Sequence, residues 1–331
     1  MTDPDIPGPR LHAAHLPQHD PSDPVESAVV ASLMRSWPRR AAVKKPAPDL
    51  DDLFDEQHTD FPEVMLPFHT HPRYRALDDT RRARLRAWGW IAYNKNVVDI
   101  EQHVVNPGFA LLTGDRFGLG LSDTTVVAVM QAMVDEQYHT LMHHQANLLT
   151  RRRRGWPLPD AVLPACRTVR DQRRAVAEAP DSRAVALVQL AFTTVAETSI
   201  SAYLGLLTGD PDLQPVNRAT VAVHRRDELC HASLTGELLP VLLTALDDRD
   251  RVRLLDALAG AVAAFTGPDL DTWAAIVAHE QVPGGEQMLA DTAEALADSP
   301  VVQDCSAVLR LCAAVGLGDE LAARWPWPSP N

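Results

Sequence analysis

The stretch DEQYH, residues 135–139, places two carboxylates and a histidine inside a segment that otherwise has the pattern of a long apolar helix. From residue 122 to residue 153, apolar side chains recur three and four positions apart and no proline interrupts them. A charged group is costly to bury unless it has a partner. Glu136 and His139 therefore either lie on a solvated helix face or point inward and hold a charged group.

A lone glutamate followed by a Glu-x-x-His unit occurs twice along the chain. The residues of the two repeats are Glu101, Glu136, His139, Glu197, Glu228 and His231. Residues three apart on a helix share a face, so both side chains of each unit reach one point. A single Glu-x-x-His is common on solvated helices, but two ordered repeats in one chain indicate a shared function.

The rest of the pattern predicts an all-α protein. Long helices are predicted at residues 79–105, 122–153, 181–208 and 215–246, and shorter ones at 250–265, 269–280, 285–297 and 300–316. The proline-rich residues 1–25 are predicted to be a mobile tail, and residues 26–331 a single domain. The segment between the tail and the first long helix has frequent prolines, which favours irregular pieces and short helices.

Four helices that together carry four carboxylates and two imidazoles predict a ferritin-like four-helix bundle with additional N- and C-terminal helices. Such bundles hold a di-iron or di-manganese centre with this ligand set. Without cations, four buried acids would repel one another. Asp135 and Asp227 each precede a ligand glutamate and are expected to hydrogen-bond the ligating imidazoles, while His143 is expected outside the ligand set.

His224 shares the helix face of Glu228 and His231, because it precedes them by four and seven residues. The spacing leaves two interpretations open. The ring either hydrogen-bonds a ligand carboxylate or supplies a third imidazole to one metal ion.

Composition excludes several classes of function. The 331 residues include 31 Lys and Arg against 44 Asp and Glu, a net charge of −13 without a long cationic stripe, which disfavours nucleic acid. No signal segment and no uninterrupted apolar run of membrane-spanning length is present. The four cysteines have no paired spacing. The chain is therefore expected to be cytoplasmic, with reduced thiols and no membrane partner.

Five stretches together resemble the di-iron arylamine N-oxygenases, the family that includes p-aminobenzoate N-oxygenases. They are SWPRRAAV (36–43), WIAYN (90–94), VDEQYHTLMH (134–143), VAETSI (195–200) and HRRDELCHAS (224–233). The resemblance runs from about residue 36 to the C-terminal region and includes the order and spacing of every ligand.

This resemblance implies seven ligands for two iron ions, with manganese left open by ligand type. They are Glu101, Glu136, His139, Glu197, His224, Glu228 and His231, so that His224 becomes a ligand. It also implies O₂ as co-substrate, a small aromatic amine oxidised to hydroxylamine, nitroso or nitro product in secondary metabolism, and a homodimer. The chain has no flavin or iron–sulfur motif, so the electrons must come from an external reductant.

The sequence departs from the family at Asn96. In members that oxidise p-aminobenzoate, an arginine there, an asparagine matching Ser201 and a tyrosine matching Tyr93 hold the substrate carboxylate. Lys95 is one position away and points elsewhere around the helix. We therefore expect an amine without a simple para-carboxylate, or with a carboxylate on a longer arm. The residues expected to line its pocket are Tyr93, Asn96, Thr194, Ser201 and Leu204.

Two alternatives stay open at this point. The same scaffold serves other oxidases, such as C–H hydroxylases and desaturases, although a desaturase usually uses only two imidazoles. A non-enzymatic iron-binding protein is the second alternative, but storage proteins of this type are short single bundles.

Overall fold

The computed structural model describes residues 18–23, 26–46, 49–297 and 304–325 of the chain. Its α-helices are α1 (Ala28–Arg40), α2 (Pro72–Arg75), α3 (Asp79–Ile100), α4 (Asn106–Thr113), α5 (Asp123–Arg154), α6 (Arg167–Glu178), α7 (Ser182–Thr208), α8 (Pro215–Thr244), α9 (Asp248–Thr266), α10 (Leu270–His279), α11 (Gly285–Ala297), α12 (Ser306–Ala314) and α13 (Gly318–Arg324). Within the described ranges the only β-type pairing is an isolated bridge between Thr59 and Leu213. The prediction of an all-α protein is confirmed.

The long helices begin and end at residues whose chemistry satisfies the free backbone groups. Ser122 caps α5 by accepting the backbone N–H of Thr125, and Asp181 caps α7 by accepting that of Ala184. Helix α5 ends at Gly155, whose φ of 65° suits a residue without a Cβ, after four arginines that face the negative end of the helix dipole.

The bundle is formed by α3, α5, α7 and α8. Helix α3 packs on α5, α5 on α8, and α8 on α7, while α7 also contacts α4 and the turn before it. Helices α9 and α6 cover the outer side of α7, and α1 lies across α5 and α8. This arrangement encloses the inward faces of the four long helices, which are the faces that carry the predicted ligands.

Helix α7 is the most apolar of the four long bundle helices. By length and composition it could span a membrane, with a mean hydropathy of 1.3 over an 18-residue window. However, 72% of that window is buried inside the protein. It is the central helix of the core, and its apolar character follows from burial on nearly all sides.

The first long helix differs from its prediction. The α-helical part ends at Ile100, and a π-helical turn, Glu101–Val105, leads directly into α4. In that turn the backbone N–H of Asn106 reaches the carbonyl of Glu101. Pro107 has no N–H to continue an α-helical ladder, and the widened turn lies just before it.

The π-turn is held by helix α7. The Thr193 hydroxyl donates to the carbonyl of Val104 at 2.9 Å. Helix α4 comes so close at Gly108 that a Cβ there would lie 1.8 Å from the Thr193 hydroxyl oxygen. The sequence analysis missed both the turn and this close approach.

Other elements also differ from the predicted ones. The 13-residue helix α1 lies in the proline-rich segment for which short helices were predicted, and Pro38 is inside it, but α6 was not predicted. Of the predicted helix at 300–316, residues 300–303 lie outside the described residues; the described part is helical at Ser306–Ala314, and a separate α13 follows it. Of the predicted mobile tail, residues 1–17, 24 and 25 lie outside the described residues.

Candidate metal centre

Seven acidic and imidazole side chains from four chain segments converge in the bundle. Their ligand atoms form two overlapping groups, each with all atoms within 4.8 Å of one another. The first donor group is Glu101, Glu136, His139, His224 and Glu228; the second donor group is Glu136, Glu197, Glu228 and His231. Glu136 and Glu228 belong to both. Each of the seven residues is at most 2% exposed.

The helices aim these side chains inward for simple geometric reasons. Glu136 and His139 lie three residues apart on α5, and Glu228 and His231 three apart on α8. Glu101 begins the π-turn, whose next residue, Gln102, is exposed. The turn thus buries the Glu101 carboxylate while the next two side chains, Gln102 and His103, are exposed.

The shared carboxylate of Glu136 lies between two imidazoles. One of its oxygens is 2.8 Å from His139 Nδ1, and the other is 2.5 Å from His231 Nδ1. The oxygen Oε1 of Glu228 is 2.9 Å from His224 Nε2 and 3.4 Å from the Nδ1 atoms of both other histidines. Each histidine therefore turns one ring nitrogen toward a shared carboxylate.

The remaining nitrogens of two of these rings meet aspartates on the opposite helix. His231 Nε2 is 3.2 Å from an Asp135 oxygen, and His139 Nε2 is 3.4 Å from an Asp227 oxygen. Such outer partners orient a ligating imidazole and leave Nδ1 free for a cation. The hydrogen-bonding role predicted for the two aspartates is confirmed by these contacts.

Three groups of the N-terminal segment, two N–H donors and one guanidinium, face the same aspartates. The indole N–H of Trp37 donates to Asp135 at 2.9 Å, and the backbone N–H of Ala42 donates to Asp227 at 3.0 Å. The Arg40 guanidinium lies 3.9–4.0 Å from both carboxylates. Burial acts to raise the pKa of Asp227, but the hydrogen bonds from His139 and Ala42 outweigh it and lower that pKa.

His224 is held through a chain of three buried polar side chains. Asn94 donates to Asn147 at 2.6 Å, so the Asn94 oxygen is free to accept from His143 Nδ1, also at 2.6 Å. His143 Nε2 is then the acceptor for His224 Nδ1–H at 2.9 Å. Burial and the neighbouring His224 lower the pKa of His143 well below its usual value, which agrees with a neutral ring. His224 Nε2 is thereby directed at the first donor group.

The electrostatics of the site fit bound cations. Burial, together with the carboxylates of Glu136 and Glu228, raises the pKa values of Glu101 and Glu197 far above the usual range. Burial also opposes ionisation of Glu228, but His231 and the other histidines outweigh it and lower its pKa. One oxygen each of Glu101, Glu197 and Glu228 is buried without a hydrogen-bond partner. Hard cations satisfy such oxygens, and the donor set fits a di-metal site.

A cavity of about 370 Å³ lies beside helix α3. Aromatic and apolar side chains dominate its lining, among them Phe61, Met65, Leu66, Tyr93, Tyr203 and Trp273. Tyr93 stacks on Tyr203 with ring centroids 4.9 Å apart, and its ring centroid is 6.3 Å from that of His143. The Tyr93 hydroxyl is buried without a hydrogen-bond partner. Tyr93 therefore links the cavity to the side chains that hold His224.

The charged groups near this cavity are already paired. Asp269 lines it but accepts from Arg170 at 3.0 Å, and none of the lining residues is a lysine or an arginine. Lys95 forms two 2.7 Å bonds to Asp99 and is absent from the lining. The cavity has an aromatic wall and no cation of its own.

The five predicted pocket residues fall in different places. Tyr93 and Asn96 line the cavity. Thr194 lines a separate cavity of about 20 Å³, and its hydroxyl donates to the Leu190 carbonyl. Leu204 packs in the apolar core, and the Ser201 carbonyl accepts from Arg225. The sequence analysis missed Tyr203 and Trp37. Tyr203 lies in the apolar sequence of α7 and Trp37 lies beside a proline, and neither context indicated a functional residue.

Comparisons with known proteins match almost the whole chain. The family model described as P-aminobenzoate N-oxygenase AurF matches residues 23–316. A 4-aminobenzoate N-oxygenase of Streptomyces thioluteus is 32% identical over 309 residues, which is 91% of this chain and 90% of that protein. The matched range includes all seven residues of the two donor groups.

Proposed function

The chain belongs to the p-aminobenzoate N-oxygenase AurF family, and from this premise we propose that it oxidises the nitrogen of a small aromatic amine with O₂ at a di-iron centre. Membership of this family makes the chain an enzyme and sets aside the iron-storage alternative. The observation that carries the proposal is the pair of overlapping donor groups that share Glu136 and Glu228.

All seven residues of the donor groups are assigned as ligands. Glu136 and Glu228 lie in both groups and would help to hold both ions, while Glu101, His139 and His224 would hold one ion and Glu197 and His231 the other. Two iron ions bound there would supply the electrons that activate O₂ for transfer to the amine nitrogen. The third imidazole, His224, supports an N-oxygenase over a desaturase, which usually has two.

The aromatic cavity is assigned as the substrate site. Its volume of about 370 Å³ lies in the range of small-molecule sites, and its aromatic lining suits an aryl ring. Asn96 lines it where p-aminobenzoate-oxidising members have an arginine. Loss of a charged clamp removes about 1.5–3 kcal/mol of binding to a carboxylate. The substrate is therefore an aromatic amine without a simple para-carboxylate.

The remaining partners follow from the same reasoning. Electrons come from an external reductant, and the enzyme acts as a homodimer in the cytoplasm. The four cysteines are all unpaired, which agrees with a reducing compartment.

A screen of aromatic amines tests this function. Protein purified with two irons per chain is reduced chemically, exposed to O₂ and offered amines with and without a para-carboxylate. We expect mass spectrometry to detect added oxygen on uncharged anilines and little on p-aminobenzoate. If protein that holds two irons adds oxygen to no amine of the panel, the proposed function is wrong.

A further inference from the structure

A continuous path of hydrogen-bonded side chains connects the second donor group to the protein surface. The half-buried Trp37 donates its indole N–H to one oxygen of Asp135 at 2.9 Å. The other oxygen of Asp135 lies 3.2 Å from His231 Nε2. The opposite ring nitrogen of His231 faces Glu136, Glu197 and Glu228 at 2.5–3.6 Å. Three side chains thus span the distance from an indole at the surface to the donor atoms.

The equivalent path in the other repeat ends differently. Asp227 contacts His139 just as Asp135 contacts His231, but its second partner is the backbone N–H of Ala42. The path from His139 ends at a buried backbone amide, whereas the path from His231 ends at a half-buried indole ring, which gives an electron donor a point of contact at the surface. The two repeats therefore offer the same ligands but different connections to the surface.

The chain segment on either side of Trp37 carries exposed positive charges. We call Arg35, Arg39, Lys44 and Lys45 the basic patch; all four are exposed, and Arg35 and Arg39 lie on the outer face of α1, since helix residues two positions from Trp37 point away from it. The Lys44 ammonium lies 4.3 Å from the centre of the Trp37 ring, in a cation–π contact. Within the described residues, none of the four forms an ion pair with a carboxylate. In a chain with a net charge of −13, this patch is a local exception.

We propose that the basic patch docks an acidic iron–sulfur protein of the ferredoxin type, and that electrons pass from it through Trp37, Asp135 and His231 to the metal pair. This inference rests on the proposed function, because a di-iron oxygenase needs an external reductant. Complementary charge steers a small acidic carrier to the patch. Contact at Trp37 then places the carrier at the outer end of the path.

The electron balance is simple. Two reduced carriers are oxidised by one electron each, and the two metal ions of the site gain one electron each, from the ferric to the ferrous state. No covalent bond forms or breaks, and the step needs no proton. The hydrogen bonds from Trp37 to His231 stay in place throughout.

The docking half of the proposal is tested on the full, iron-loaded chain with oxidised ferredoxin, so that binding is measured without electron transfer. We compare the variant Arg35→Glu/Arg39→Glu with the control Arg173→Glu/Arg249→Glu, which reverses two exposed charges on α6 and α9. The dissociation constant for an acidic [2Fe–2S] ferredoxin is measured by calorimetry at low and high salt. We expect about tenfold weaker binding in the patch variant at low salt and less than about a twofold change in the control. Equal changes in both would overturn the docking surface.

The path itself is tested on iron-loaded protein with Trp37→Phe, which keeps an aromatic ring but removes the N–H and the indole. Stopped-flow reduction by the same ferredoxin should slow about tenfold, which corresponds to about 1.4 kcal/mol in the barrier. Reduction by dithionite, a small reductant that needs no docking, and the iron content should stay unchanged. A purely structural role for Trp37 would change the iron content or the dithionite rate.

An unchanged ferredoxin rate in Trp37→Phe would overturn the path. This outcome is separate from a failure of the proposed function, because amine oxidation is measured after chemical reduction and does not involve the carrier. If the protein oxidises amines after dithionite treatment but ferredoxin reduces all variants equally fast, the proposed function stands and the proposed electron path is wrong.

Discussion

The first and second donor groups share Glu136 and Glu228 but differ in the side chains that connect them to the rest of the protein. The first has three donors of its own, and its His224 is held through His143 and Asn94, beside Tyr93 and the aromatic cavity. The second has two donors of its own, and its connection runs through Asp135 and Trp37 to the basic patch.

The difference shows how a repeated pattern of donor residues comes to have two different sets of surrounding contacts. The repeats supply nearly equal ligands, because helical spacing fixes which side chains share a face. The outer partners come from other parts of the chain and are unequal. We infer that the first group serves the substrate side and the second the electron side, and each prediction below tests this division.

Removal of a shared carboxylate should have the largest effect. We expect Glu228→Ala to lose nearly all iron, because Glu228 belongs to both groups, whereas His231→Ala should keep about one of two ions. Iron per chain, measured by elemental analysis, distinguishes the two results. The exposed carboxylate variant Glu294→Ala is the control and should keep both ions. Equal iron loss in Glu228→Ala and His231→Ala would mean that the two groups do not act as separate sites.

Removal of a side chain that hydrogen-bonds a donor histidine should have the next largest effect. It should weaken metal binding only in the donor group of that histidine. In the His231→Ala background the remaining ion lies in the first group. Adding His143→Leu breaks the link between Asn94 and His224 and should weaken that ion's binding about 10–100-fold, as loss of an outer partner does. Adding Asp135→Asn instead should leave the binding of that ion unchanged, because the donor histidine that Asp135 contacts is His231, which this background lacks.

Chelator competition measures both constants. A similar loss in the two double variants would contradict the division of outer partners between the groups. The comparison is well matched, because His143 and Asp135 are both fully buried on the same helix, α5.

Part of the donor set could be predicted from local spacing in the sequence, whereas the spacing left the role of His224 open and only the family resemblance placed it among the donors. Glu136 and His139 share a helix face at any position in any fold, and so do Glu228 and His231. Asp135 and Asp227 were predictable for the same reason, since each precedes a ligand glutamate. The predicted starts of α5 and α7, at residues 122 and 181, lie within one residue of the observed starts, because Ser122 and Asp181 cap these helices.

What the sequence did not predict depends on contacts between distant parts of the chain. Trp37 and Asp135 are 98 residues apart, and no periodicity relates them. His143 lies outside both donor groups, but its link to Asn94 across 49 residues depends on how α3 and α5 pack. The π-turn at Glu101 depends on Thr193 of α7. Thr194, the next residue of α7, lines a different cavity from the one that Tyr93 lines, which again depends on how the helices pack.

The smallest predicted effect concerns the cavity on the substrate side. Asn96→Arg introduces a cation into a lining that has no lysine or arginine. It should raise kcat/KM for p-aminobenzoate about tenfold. The cavity is partly open to solvent, so the gain in binding free energy should lie near the lower end of about 1.5–3 kcal/mol. Turnover of aniline, which has no carboxylate, should not rise. Steady-state assays after chemical reduction provide both values.

The control for this variant is Gln102→Arg, an equal change of charge at an exposed position outside the cavity lining. If both variants favour p-aminobenzoate equally, the effect comes from overall charge and the assignment of Asn96 is wrong. The same two variants also test the division between the groups. Since Asn96 lies on the substrate side, Asn96→Arg should leave the rate of reduction by ferredoxin unchanged, and a slower rate would mean that the cavity and the electron path are not separate.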